Sequence, residues 1–221
     1  MYHDTSREPY GYSSYITADK SDRFYDDNIW LVIDFVDLYN LTKKQHYLDL
    51  ALDIWNFVLS GRDTVLGDGI YWCEQKKDTK NTCSNAPAAV AALKLHKATG
   101  DKKYFDQGEN LYTWVLYSLR DKDNLYFDNV SVTGKFDRRK FTYNSGQMIE
   151  AGVLMYEATG DAKYIEYARK AAWYFASWIY IQNPIYDADD DFTIYNWRPA
   201  GANIVGVEHP ALDEYGSLLI G

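Results

Sequence analysis

Apolar residues recur along the chain with helical rather than strand periodicity. The run Ile29, Trp30, Leu31, Val32, Ile33, Phe35, Val36 and Leu38 is apolar nearly all round, which predicts a buried helix. The stretch from Tyr164 to Tyr174 instead carries Glu166, Arg169 and Lys170 on one side, as a helix facing solvent would. The alternation repeats. Segments starting at Leu38, Leu95 and Met155 share a Thr followed five residues later by a Tyr, and the threonines Thr42, Thr99 and Thr159 lie 57 and 60 residues apart. Each unit predicts an αα-hairpin, an apolar helix running into the Thr turn and an amphipathic one starting near the Tyr. Two turns read Thr-Gly-Asp, where Gly supplies a left-handed stop and Asp a cap for the next helix.

Buried inner and solvated outer helices of this kind build an all-α toroid, and the chain reads as one domain over residues 1–221 with its repeats between about 24 and 180. The Gly- and Tyr-rich segments 67–75 and 124–136 predict short β-hairpins at one end. Residues 181–221 read as mostly irregular. Only three helix pairs can be counted, so the toroid is expected to be open, with apolar edges that invite self-association.

The repeat also aligns the chemistry. In a toroid the inner helices run parallel, so residues at equal distance before each Thr share a level. Sixteen residues back lie Asp26, Cys83 and Tyr143; the next positions are Asp27, Ser84 and Asn144, then Asn28, Asn85 and Ser145. Asp, Ser and Asn are good helix caps, and Asn85 with Pro87 behind it reads as a helix start. Three polar clusters at one level nevertheless hold more polar groups than caps require, and they predict a ligand-binding cup. Successive helical residues point about 100° apart, so Asp26 and Asp27 can flank one bond, the equipment of a glycosidase. Like charges this close cannot both ionise easily, which leaves one as acid and one as base or nucleophile.

Composition narrows the ligand. A formal net charge of −9 and a pI near 4.9, without any basic run, exclude a phosphate-neutralising nucleic-acid surface. Seven Trp and 21 Tyr supply faces that stack on sugars. No segment is apolar for long enough to span a membrane, and the first residues lack the pattern of a signal peptide. Cys73 and Cys83 have no spacing for zinc, and a disulfide between them is left open. The acidic run Asp187, Asp189, Asp190 and Asp191 reads as a solvated loop rather than a calcium site. None of His3, His46, His96 and His209 falls in the polar register, and no cofactor or metal is expected.

The strings YDDNIW (25–30), KNTCSNAPAAVAALKLHKATGDKKY (80–104) and FTYNSGQMIEAGVLMYEATGDAKY (141–164) resemble glycoside hydrolase family 76, the endo-α-1,6-mannanases, which are similar to fungal cell-wall mannan transglycosidases. The resemblance implies an (α/α)6 barrel, an extracytoplasmic location, and cleavage of α-1,6-mannan by a retaining double displacement with Asp26 as nucleophile and Asp27 as acid/base. It makes Asn81, Ser84, Asn85, Tyr143 and Asn144 candidates for sugar hydroxyls, with Trp72 or Trp30 as a stacking platform. Transfer to another sugar and a weakly active carbohydrate-binding remnant are the alternatives.

Overall fold

The computed structural model describes residues 2–15 and 21–182. Among the described residues six helices follow one another as three antiparallel pairs. The first is α1 (Tyr25–Thr42) with α2 (Gln45–Leu59). The second is α3 (Thr82–Thr99) with α4 (Lys102–Ser118), and the third is α5 (Thr142–Thr159) with α6 (Ala162–Gln182). Helices α1, α3 and α5 pack side by side with α3 in the middle, and each is backed by its own outer partner.

The recurring Thr has a physical reason. Its hydroxyl donates to the carbonyl four residues back (Thr42 to Leu38, 2.6 Å; Thr99 to Leu95 and Thr159 to Met155, both 2.7 Å). It also accepts from the amide two residues on, at 3.2–3.3 Å. One side chain therefore ties the end of an inner helix to the start of an outer one. Gly100 and Gly160 follow in left-handed geometry, φ 72° and 70°, and their amides close the last turn. Lys43 takes the same conformation in the first unit at φ 56°. Asp101 then caps α4 by accepting from the Lys103 amide. At Gly108 an added Cβ would stand 2.8 Å from Leu93 Cγ, so its lack of a side chain lets α4 close on α3.

Inner helices are less uniformly apolar than the sequence suggests. Ile29, Val32 and Val36 of α1 are fully buried, as are Ala88, Ala91 and Leu95 of α3. A third stripe is polar toward the C-terminal end: Lys94 Nζ binds Asp37 (2.8 Å) and Glu150 (3.3 Å), one partner on each neighbouring inner helix. Asp37 and Lys94 border a 490 Å³ cavity at that end. On α1 the opposite flank is open, with Trp30, Leu38 and Leu41 exposed, the last at 82%.

One expectation needs correction. The segment 67–75 forms isolated bridges rather than a hairpin, and the strand after it, β3 (Thr79–Asn81), pairs with β4 (Asn129–Ser131), which pairs with β5 (Phe136–Asp137). One three-stranded sheet thus joins the loops of two different pairs. At the start of the chain β1 (Tyr2–Asp4) and β2 (Gly11–Ser13) form an antiparallel ladder against α1. Among the described residues no helix is long and apolar enough to cross a membrane. The acidic run 187–191 and His209 lie outside the described residues.

Candidate active site

The three inner helices begin at the same level, at Tyr25, Thr82 and Thr142, each seventeen residues before its Thr. Their N-caps are Phe24, Asn81 and Phe141, and none makes a side-chain capping bond. The polar clusters therefore lie inside the first turns and are not spent on capping. Asn85 and Pro87, expected to start a helix, are its fourth and sixth residues. A 470 Å³ cavity opens at this end. Asp26, Cys83 and Tyr143 line it from the three helices, Trp72 from the loop before β3, and Asn81 and Asp128 from the sheet.

Asp26 is held by its neighbours. Trp72 Nε1–H donates to its Oδ2 at 3.1 Å, and the indole is fixed by Phe24, ring centroids 4.7 Å apart. The chain around Trp72 is fixed in turn by Tyr25, whose amide donates to the Trp72 carbonyl, and by Arg23, fully buried and paired with Glu74. Oδ1 of Asp26 is buried without a hydrogen-bond partner of good geometry, although the Asp27 amide and the Cys83 thiol lie near the carboxyl and lower its pKa slightly. Burial, and then the charge of Asp27, push the Asp26 carboxyl up to about 6, against the pull of the Trp72 donor. Burial raises Asp27 as well.

Polar atoms around the cavity are short of partners. Asn81 Oδ1, on its wall, and Ser84 Oγ and both amide atoms of Asn144, which are fully buried and do not line it, lack hydrogen-bond partners of good geometry. Such atoms cost the fold unless something else satisfies them. Tyr143 stacks on Phe141 (5.5 Å, 14°) and is half exposed to the cavity. Burial, Cys83 and the nearby carboxyls push its phenol up to about 12. Cys83 is a free thiol, as is Cys73, and burial beside Asp26 and Asp128 drives its pKa well above the ordinary range.

Asn85 does not serve the cavity. It is fully buried, its Oδ1 accepts from the Ile70 amide (2.6 Å), and its Nδ2 donates to the carbonyls of Ile70 and Asn81 (both 2.8 Å). Asn28, its equivalent on α1, holds Tyr12 of β2 in the same way. This level of the repeat clamps loops. Trp30 sits one turn below Asp26 and does not border the cavity, leaving Trp72, Phe141 and Tyr143 as the aromatic walls. Asp128 is a residue that sequence reasoning passed over. Burial raises its carboxyl, and Asn129 Nδ2 holds one of its oxygens at 2.9 Å. It lies outside the helical repeat, so register could not find it; the one signal was its place beside the Gly-containing loop.

A pair of adjacent carboxyls in a polar, aromatic-walled cup at the N-terminal end of packed helical hairpins is the arrangement of a carbohydrate-active enzyme of the α/α-toroid class. The family model "Glycosyl hydrolase family 76" matches residues 1–195, and the chain belongs to that family. Among solved structures it is similar to a family 76 mannosidase of Bacteroides thetaiotaomicron (36% identity, TM-score 0.73), covering 77% of this chain and 48% of that one. It is also similar to an α-1,6-mannanase of a Salegentibacter species, solved as an inactive variant with two adjacent aspartates changed to asparagine and α-1,6-mannotriose bound. Identity there is 34%, the TM-score 0.67, and coverage 69% of this chain and 47% of that one. A mannan endo-1,6-α-mannosidase of Candida glabrata is 27% identical over 80% of this chain and 40% of its own length. The chain thus spans about half the length of these relatives or less. The neighbours are (α/α)6 toroids, of which the three helix pairs here form part.

Proposed function

We propose that this chain carries the catalytic rim of a retaining glycosidase for α-1,6-mannosidic bonds, with Asp26 as nucleophile and Asp27 as acid/base. The observation that carries the reading is Asp26 on the cavity wall with Asp27 next to it in the first turn of α1, the same kind of adjacent pair whose conversion to asparagine accompanies loss of activity in the Salegentibacter mannanase; Asp27 itself does not line the cavity. The division of roles follows the family pattern: Trp72 holds Oδ2 of Asp26 in place, and Asp27 is the less enclosed of the two carboxyls.

In the first step a carboxylate oxygen of Asp26 forms a bond to the anomeric carbon as the glycosidic C–O bond breaks, and the Asp27 proton passes to the departing oxygen. Asp27 then takes a proton from water, whose oxygen displaces Asp26 and restores both carboxyls. The coupled pair must hold one proton between them. Mutual repulsion and burial keep that proton bound into the range of pH 6. Asn81 and Asp128 supply groups for sugar hydroxyls, and Trp72 and Tyr143 the stacking faces. As mannan is a wall or extracellular polymer, the site of action is outside the cytoplasm.

The half-length of the chain favours one second reading, a mannan-binding rim without turnover. Incubating the chain with α-1,6-mannotetraose, with and without Asp26→Asn or Asp27→Asn, separates the two. Release of shorter sugars by the wild type alone is expected. Binding without release is the second reading, and release by both variants would refute the role of the pair.

A further inference from the structure

Asp26 and Cys83 are each the second residue of an inner helix, and α1 and α3 pack side by side. Equal height on neighbouring parallel helices brings both side chains to the wall of one cavity, where Cys83 is the contribution of α3. The Asp26 carboxyl has one firm donor there, the Trp72 indole on Oδ2 at 3.1 Å, while Oδ1 is buried short of one. The two side chains also feel each other. Burial and the charge of Asp27 raise the carboxyl, and Trp72, the Asp27 amide and the Cys83 thiol pull it back.

A thiol donates only while it keeps its proton. Burial, and then the charges of Asp26 and Asp128, drive the Cys83 thiol far above its ordinary range, so its S–H persists wherever Asp26 titrates. No disulfide consumes it. The thiol proton turns about the Cβ–Sγ bond, so a pair short of good geometry closes once the carboxyl carries charge. The weakness of the donor is itself useful. A nucleophile has to be ionised and still basic enough to attack; a strong second donor would blunt it, and none would leave it protonated to a higher pH.

We infer that the Cys83 thiol is the second hydrogen-bond donor to the Asp26 carboxyl, so that the nucleophile is held from the loop by Trp72 and from the central helix by Cys83. The purpose of this contact rests on the glycosidase reading and deepens it; the contact itself does not depend on turnover. Cys83 is a positioning residue, since it acts through Asp26. The other charged or titratable groups about Asp26 are Asp27 beside it and, on the cavity wall, Asp128, Tyr143, Lys76, Asp78 and Arg139. All of them are shared by the Cys83 variants below, so the comparison isolates the thiol.

Infrared spectroscopy of the unaltered chain reads the contact, because S–H stretching stands clear of other protein bands. The thiol band that Cys83→Ser removes should move to lower frequency as pH rises through about 6, and should stay fixed in Asp26→Asn. Carbon NMR of labelled aspartates, with the Asp26 signal assigned by its loss in Asp26→Asn, reads the acidity. Cys83→Ala should titrate above both wild type and Cys83→Ser, by about 0.4–1 pH unit, the worth of one neutral hydrogen bond, and the acid limb of kcat/KM should move with it. A thiol band indifferent to pH, or an alanine midpoint at or below that of wild type or of the serine variant, overturns the inference and makes Cys83 a packing residue. A wild type that passes both tests yet neither binds nor cleaves α-1,6-mannan overturns the glycosidase reading alone.

Discussion

Replacing Asp26 by asparagine should stabilise the protein while abolishing its chemistry, and the gain should depend on pH in a defined way. The folded carboxyl has a pKa of about 6, against 3.8 for a free side chain. At about 1.36 kcal/mol per pKa unit, holding it ionised costs the fold about 3 kcal/mol. The sign follows from proton binding. Between pH 3.8 and about 6 the folded state holds more of this proton than the unfolded state, so stability falls as pH rises through that window. Below it both states are protonated and the cost vanishes; above it the cost is complete. Asparagine cannot ionise, and its Oδ1 can still accept from Trp72. Urea unfolding of both proteins at about pH 3.5, 5 and 7.5 should therefore show the variant gaining about 3 kcal/mol on the wild type between the first and last conditions. A difference independent of pH would refute the reasoning, because it would mean that Asp26 ionises as easily in the fold as in water.

Other residues give contrasting outcomes. Trp72→Phe removes the donor to Asp26 Oδ2 and should raise the carboxyl further, seen as a wider pH window of lost stability in the same titration. Asn85→Ala strands the Ile70 amide and carbonyl in the interior and should cost about 2–4 kcal/mol in urea unfolding. Asp128→Asn should keep the fold, since burial disfavours the charge it removes, yet weaken α-1,6-mannotriose binding by about tenfold or more in calorimetry. Thr99→Val should destabilise by about 1 kcal/mol by opening the turn between α3 and α4.

Much of this was readable from residue order. The Thr–Tyr skeleton fixes three helix pairs because one hydroxyl performs the same turn chemistry three times, and a parallel inner layer turns equal sequence distance into equal height. Asp26, Cys83 and Tyr143 could therefore be placed together before any coordinate. What counting cannot supply is direction around the helix. Asn85 and Asp27 are each one step from a neighbouring polar position, yet Asn85 points outward to clamp Ile70 while the step before it points elsewhere. Long-range pairing is equally silent in the sequence: nothing in Thr79–Asn81 specifies Asn129–Ser131 as its partner, so the sheet and Asp128 were missed. The apolar inner helices concealed a third, polar stripe because Asp37, Lys94 and Glu150 satisfy one another only across three helices.

The sheet that joins β3 to β4 and β5 bears on the order of assembly. Each helix pair can form from contacts close in sequence, but the ladder between Lys80 and Val130 closes a loop of about fifty residues and pays its entropy late. Asn81 and Asp128 come into place through that closure, with the Thr82 amide bonded to the Asp128 carbonyl at 2.8 Å. Helical signal should thus recover in refolding before sugar affinity does, and the lag between them would time the knitting of the two loops.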